Sequence, residues 1–167
     1  MVSAAQIPAE AKNSAKGSSG RLFSFVAAGF FMSAFSTACA ASDLTITIDN
    51  LRNNSGQVFL CVFSAESSLS ALFPDCARGN PAQSVRLPIQ AGKATVTFKG
   101  LKDGTYAVAM IHDENNNGEL DTNLLGIPTE GLGVSNNPRL MGKPNFSEAQ
   151  FAVKGNTSIS IQAKYFL

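Results

Sequence analysis

The residues best suited to chemistry lie together at His112–Asp121, which reads His-Asp-Glu-Asn-Asn-Asn-Gly-Glu-Leu-Asp. Asp113, Asn115, Asn117 and Asp121 hold positions 1, 3, 5 and 9 of a calcium-loop spacing, and Gly118 holds position 6, where such loops turn sharply. With the Glu119 carbonyl at position 7, these oxygens can converge on one hard cation, and calcium is the ion they suit. Position 12 is Leu124, where an EF-hand places a bidentate Glu. Glu114 or Glu130 would have to supply the missing carboxylate, and the affinity expected is weak, about 0.1 to 1 mM. The alternative is a metal-free turn in which Asp, Asn and Gly cap one another's backbone groups.

His112 also admits an enzymatic reading: a small hydrolase in which Asp113, Glu114 or Glu130 assists the imidazole and Ser135 is the nucleophile. Ser135 stands in Gly-Val-Ser-Asn, which is no nucleophile elbow. A lone histidine at a strand end is more often structural, bonded to a neighbouring carboxylate, so the reading carried forward is non-enzymatic. His112 with Cys61 and Cys76 does not fill a typical zinc site, and no phosphate-cradling glycine loop or dinucleotide fingerprint is present. The second candidate is Gly126–Asn137. Its glycines free the backbone, Pro128 stiffens it, and Glu130, Ser135, Asn136 and Asn137 offer polar groups suited to a peptide, a glycan or another envelope component. The alternative there is a self-packed cap over one end of the domain.

Elements of period two must position these groups. Leu44, Ile46 and Ile48 alternate with Thr45, Thr47 and Asp49, the pattern of a strand with one buried face. Asn53–Gly56 is a turn cluster, and Gln57–Phe63 is almost continuously apolar, so the two segments read as a hairpin whose second strand is central. Leu69, Leu72 and Phe73 fall at helical spacing before Pro74, predicting a short helix or turn. Alternation resumes at Val85–Ile89 and Ala94–Phe98, and Thr105–His112 is a second central strand. Tyr106, Val108, Met110 and His112 lie on one of its faces and Ala107, Ala109 and Ile111 on the other. Phe151–Val153 and Ile159–Tyr165 complete seven strands. Asp113–Ser147, about thirty-five residues, lacks periodicity but holds Leu124, Leu125, Ile127, Leu132, Val134, Leu140 and Phe146, which predicts an ordered lobe rather than a linker.

The 167-residue chain allows one ordinary domain behind a leader. Lys12, Lys16 and Arg21 form a basic n-region, Leu22–Phe35 an apolar h-region, and Ala38-Cys39-Ala40 a cleavage signal, so residues 1–40 read as a signal peptide and 41–167 as the mature domain. An N-terminal anchor, a buried core helix and lipidation at Cys39 are the alternatives. Of 13 basic and 12 acidic residues the leader takes three and one, leaving 10 and 11, a net charge of −1 and no footprint for nucleic acid. The expected location is the periplasm, with secretion or lipid anchoring as variants and no membrane-spanning segment after cleavage. In that oxidising compartment Cys61 and Cys76 read as a disulfide; two unpaired cysteines, one of them in the core, are the alternative.

The run Gly104–Asn115, followed by Asn117-Gly118-Glu119-Leu120-Asp121, Gly126–Gly131 and Ser135-Asn136-Asn137, resembles the bacterial family of exported proteins called DUF2141, over about Leu44 to Phe166. Lys99–Tyr106 is similar to a hairpin of transthyretin-like and carboxypeptidase-regulatory domains, and that likeness implies a prealbumin-type sandwich. Transthyretin-like hydrolases use several histidines, whereas this chain has one. The expected fold is an all-β, seven-stranded antiparallel sandwich of immunoglobulin or prealbumin type, with a long ordered loop lobe and one short helix.

Overall fold

Alternating apolar residues can be hidden only if each strand lays one face on a shared core, and the strands do so in two sheets. The computed structural model describes residues 41–79 and 81–167; the expected leader, with Cys39, lies outside the described residues. Strand β1 (Ala41–Asp49) buries Leu44, Ile46 and Ile48 completely. Strand β2 (Gln57–Ser64) lies between β3 (Gln83–Leu87) and β5 (Gly104–Asp113) and is central, as its apolar run predicts. Strand β4 (Ala94–Lys102) pairs antiparallel with β1. The far side of β5 is shared by β6 (Gly131–Val134) along Ala109–His112 and by β7 (Phe151–Val153) along Gly104–Tyr106. Strand β8 (Thr157–Gln162) completes the three-stranded sheet β4-β1-β8 opposite the five-stranded one.

Three expectations are corrected. The described residues form eight strands, not seven, and the eighth is β6, inside the lobe. The sandwich is mixed, because β1 and β8 run parallel from Leu44↔Thr157 to Asp49↔Gln162. A strand arriving from the opposite sheet takes its direction from where the crossing delivers it, not from a local turn. For the same reason β1 and β2 are not a hairpin: they lie in different sheets, and Asn53–Gly56 carries the chain between them. The short helical turn expected before Pro74 is present as a 3-10 turn at Ser68–Leu72. A separate one-turn helix, α1 (Phe146–Ala149), is held by a capping box between Asn145 and Glu148.

The main core fills the space between the sheets with Leu44, Ile46, Leu60, Val108, Met110 and Ile161 among others. Strand β6 passes so close to the chain's C-terminal segment that side chains are excluded. A Cβ on Gly131 would lie 2.5 Å from the Tyr165 ring, and one on Gly133 would lie 2.8 Å from Ile161 and 2.9 Å from the Gln162 carbonyl. A second apolar cluster lies on the outer face of the five-stranded sheet, where Phe63, Phe73, Ala107, Ala109 and Val134 surround a Cys61–Cys76 disulfide. The bond closes a separation of 15 residues, which in the chain-entropy account contributes about 3 kcal/mol. It ties the excursion after β2 down onto that outer face.

Candidate functional site

The end of β5 is a junction at which almost every polar group already has a partner. His112 is fully buried; its Nδ1 lies 2.7 Å from the Tyr165 hydroxyl and its Nε2 lies 2.9 Å from the Ser55 carbonyl. A carbonyl only accepts, so Nε2–H donates to Ser55, and in the neutral ring Nδ1 is left to accept from the Tyr165 hydroxyl. The Tyr165 oxygen in turn accepts from the Arg52 amide at 3.1 Å. The Arg52 guanidinium covers the Tyr165 ring at 4.6 Å from its centroid and pairs with Glu114 at 2.8 Å. Burial alone would raise the Glu114 carboxyl, but hydrogen bonds from Arg52 and Asn53, with the Arg52 charge, hold it below the usual glutamate value.

Asp113 is also fully buried. Its carboxylate accepts from the Asn117 and Gly118 amides, each at 3.0 Å, from Gln57 Nε2 at 3.1 Å, and from Arg86 Nη1 at 3.4 Å. The Asn115 Oδ1 accepts from the Asn117 amide at 3.0 Å and the Asn117 Oδ1 from the Glu119 amide at 2.9 Å. The amide nitrogens of Asn115 and Asn117 donate to Asp121 at 2.6 and 2.9 Å. The loop therefore has the turn of a calcium loop, with Gly118 at φ +85°, and it spends its oxygens on its own N–H groups. Among the described residues no three His, Cys, Asp or Glu side chains gather as a metal site requires. Arg86, which stacks on Phe59 at 4.4 Å, places a positive charge beside Asp113.

The four candidates from the binding loop all act as fasteners, Glu130 and Ser135 buried, Asn137 partly buried and Asn136 at the surface. Glu130 is buried, and its two oxygens accept from the Glu114 amide at 2.8 Å and the Asp121 amide at 3.1 Å, closing both ends of the 113–121 turn. The buried Ser135 hydroxyl accepts from the Val108 amide at 2.9 Å and donates to the Ala149 carbonyl at 2.5 Å. Asn136 donates to the Gln150 carbonyl at 2.8 Å, and Asn137 both donates to the Ser160 carbonyl and accepts from the Gln162 amide. Both asparagines sit in the left-handed region, at φ +64° and +48°, where asparagine is better tolerated than most side chains. Nothing joins Ser135 to His112, and Asp113 and Glu130 bond elsewhere.

Open space lies instead on the outer face of the five-stranded sheet. Beyond the disulfide cluster the apolar face continues as the partly buried Phe59, Ile111 and Leu132, which line a cleft of about 1010 Å³. One wall is the Cys76 loop, another the lobe at 118–128, and the end is the 140–144 segment.

Residues 46–161 of the chain match the family described as "Uncharacterized protein conserved in bacteria (DUF2141)". The chain belongs to this family. No curated protein and no solved structure matches it. In this DUF2141 chain the matched span runs from the first buried isoleucine of β1 to the last of β8, so it covers the sandwich, the lobe and the cleft together. Sequence reasoning missed Arg52, Arg86 and Tyr165, each an isolated polar or aromatic residue whose partners lie far along the chain. It missed the cleft for a related reason: segments around 59, 76, 111, 132 and 142 wall it jointly, and none carries a motif.

Proposed function

We propose that the protein is an exported, non-enzymatic binding module of the bacterial envelope, and that it receives an elongated apolar ligand in the outer-face cleft. The observation that carries this reading is the cleft itself: a volume of about 1010 Å³ over a floor of Phe59, Ile111 and Leu132 is at the upper end of small-molecule sites. Support for the non-enzymatic part comes from His112, both of whose nitrogens are engaged, and from Ser135, whose hydroxyl is tied to two backbone groups. The basic and apolar leader pattern and the Cys61–Cys76 disulfide support export. No described helix is long and apolar enough to cross a membrane.

The test is a titration with the apolar fluorophore N-phenyl-1-naphthylamine. Saturable binding is expected, weakened about tenfold or more by Ile111→Glu, since a charge on the floor must be desolvated for an apolar group to enter. Circular dichroism should be unchanged, because Ile111 is only partly buried and lines the cleft. Absence of saturable binding, or equal binding by Ile111→Glu, removes the cleft from the reading.

Calcium enters as a weak ligand of the 113–121 turn, one that must displace the two amide bonds now made to Asp121. At about ten times a millimolar Kd it would add about 1.4 kcal/mol, or about 4 °C in Tm. Asp121→Asn should abolish that shift, and a wild-type Tm indifferent to calcium and chelator ends the calcium part.

A further inference from the structure

Beside the cleft, Thr122–Thr129 contains no charged residue. A bridge between Thr122 and Pro128 closes it into a short hairpin, and Asn123 folds the tip. The Asn123 amide donates to the Ile127 carbonyl and the Asn123 carbonyl accepts from the Gly126 amide, both at 2.9 Å. The Asn123 Oδ1 accepts from the Leu125 amide at 2.9 Å and the Ile127 amide at 3.0 Å. The N–H groups of Asn123, Leu125, Gly126 and Ile127 are thus satisfied within the tip. What the tip displays is apolar: Leu124 is fully exposed and Leu125 is 82% exposed. Two adjacent leucines held outward by a turn this well bonded are a displayed surface, not a frayed end.

Across the cleft, the loop Pro138–Pro144 presents Met141, 87% exposed, between Arg139 and Lys143. Both cations are exposed, neither has an ion-pair partner among the described residues, and Gly131–Ser147 contains no acidic residue. Glu119 is the exposed carboxylate among the cleft-lining residues, Asp75 is already paired with Arg78, and the exposed Glu148 is engaged in the capping box of α1.

We propose that these two loops dock the protein on a lipid bilayer bearing anionic headgroups. Leu124, Leu125 and Met141 enter the boundary between headgroups and acyl chains, and Arg139 and Lys143 lie against the headgroup charge. Apolar side chains interleaved with unpaired cations are the composition of an interfacial anchor. Four of the tip's N–H groups are already satisfied internally, which lowers the cost of bringing the turn to the headgroup boundary. A partner that adds a strand would need free amides, and four of those in the tip are taken. The surface adjoins the cleft but does not depend on what the cleft holds.

The experiment is cosedimentation of the purified chain with vesicles of phosphatidylglycerol and phosphatidylethanolamine, and with neutral phosphatidylcholine vesicles. Wild type and variants are compared in the same chain, so any contribution of residues 1–40 is common to all. L124S/L125S should lower partitioning about tenfold or more on the anionic vesicles. R139Q/K143Q should lower it there by about fivefold per charge and leave the neutral vesicles unaffected. Glu119→Gln should tighten it on the anionic vesicles. All these positions are exposed, so the fold should persist by circular dichroism. Wild type that fails to bind, or L124S/L125S that binds equally, overturns the proposal. So does a concentration-dependent dimer, seen by sedimentation and lost in L124S/L125S while vesicles are ignored, since a second copy then covers the leucines. Retained N-phenyl-1-naphthylamine binding in L124S/L125S separates this surface from the cleft: the bilayer inference can fail while the cleft reading stands.

Discussion

Gly56→Ala is expected to destabilise the protein by about 4 kcal/mol or more, an exceptional cost for one methyl group. Two physical terms add. Gly56 lies at φ +67°, in the left-handed region, where a β-carbon costs about 1–2 kcal/mol. That β-carbon would also stand 1.9 Å from the Asp113 carbonyl oxygen and 2.6 Å from the Glu114 Cα. Both obstacles are backbone, at the strand end where His112, Asp113 and Glu114 are held by the Ser55 carbonyl, Arg86 and Arg52, so relief would require opening the junction. Gly155→Ala is the matched control: φ is +66°, and nothing lies within 4 Å of the added carbon. It should cost about 1–2 kcal/mol, from conformation alone. Urea unfolding of the two variants measures the difference, and equal losses would mean that the close approach of residues 56 and 113 is not maintained in solution.

Glu130→Ala is expected to cost about 3–5 kcal/mol, because two part-buried amides lose a buried charged acceptor worth about 1.5–3 kcal/mol each. The amides belong to Glu114 and Asp121, so the loss falls on the attachment of the lobe to the sandwich. Amide hydrogen exchange should quicken at Glu114 and Asp121 before it does so in β2. Asn136→Ala, which removes bonds from an exposed side chain to the Gln150 and Glu148 carbonyls and puts alanine at φ +64°, should cost less, about 1–2 kcal/mol. A Glu130→Ala protein that melts like wild type yet loses N-phenyl-1-naphthylamine would reverse the assignment, making Glu130 a recognition group and not a fastener.

These two positions also mark how far the amino-acid order alone could be read. Leu44, Ile46 and Ile48 announce a half-buried strand because period two is a local property, and the structure buries all three. The same holds for β5: Val108, Met110 and His112 enter the main core, while Ala107 and Ala109 join the outer cluster. Cys61 and Cys76 were an even pair with a stretch of loop between them, and they are bonded. The lobe's apolar content did not reveal the strand inside it, and of the residues counted there Val134 is buried while Leu124 and Leu125 are exposed. The two glycines of Gly-Leu-Gly-Val weaken its own strand propensity; it is extended because β5 supplies its partners and Tyr165 and Ile161 leave room for nothing larger at either glycine.

What the sequence determined by itself was therefore the local pattern: strand faces, turn positions, the Asx-rich loop and membership of the DUF2141 family. Only the tertiary structure decided which sheet each strand joins, and it made β8 parallel to β1. It also decided which polar residues remain free. His112 and Ser135 looked chemically available, and each is taken up by a carbonyl, 57 residues upstream for His112 and 14 residues downstream for Ser135. Hydrogen-bond partners and cleft walls are set by distance in space, and a chain's order encodes that distance only through the fold it produces.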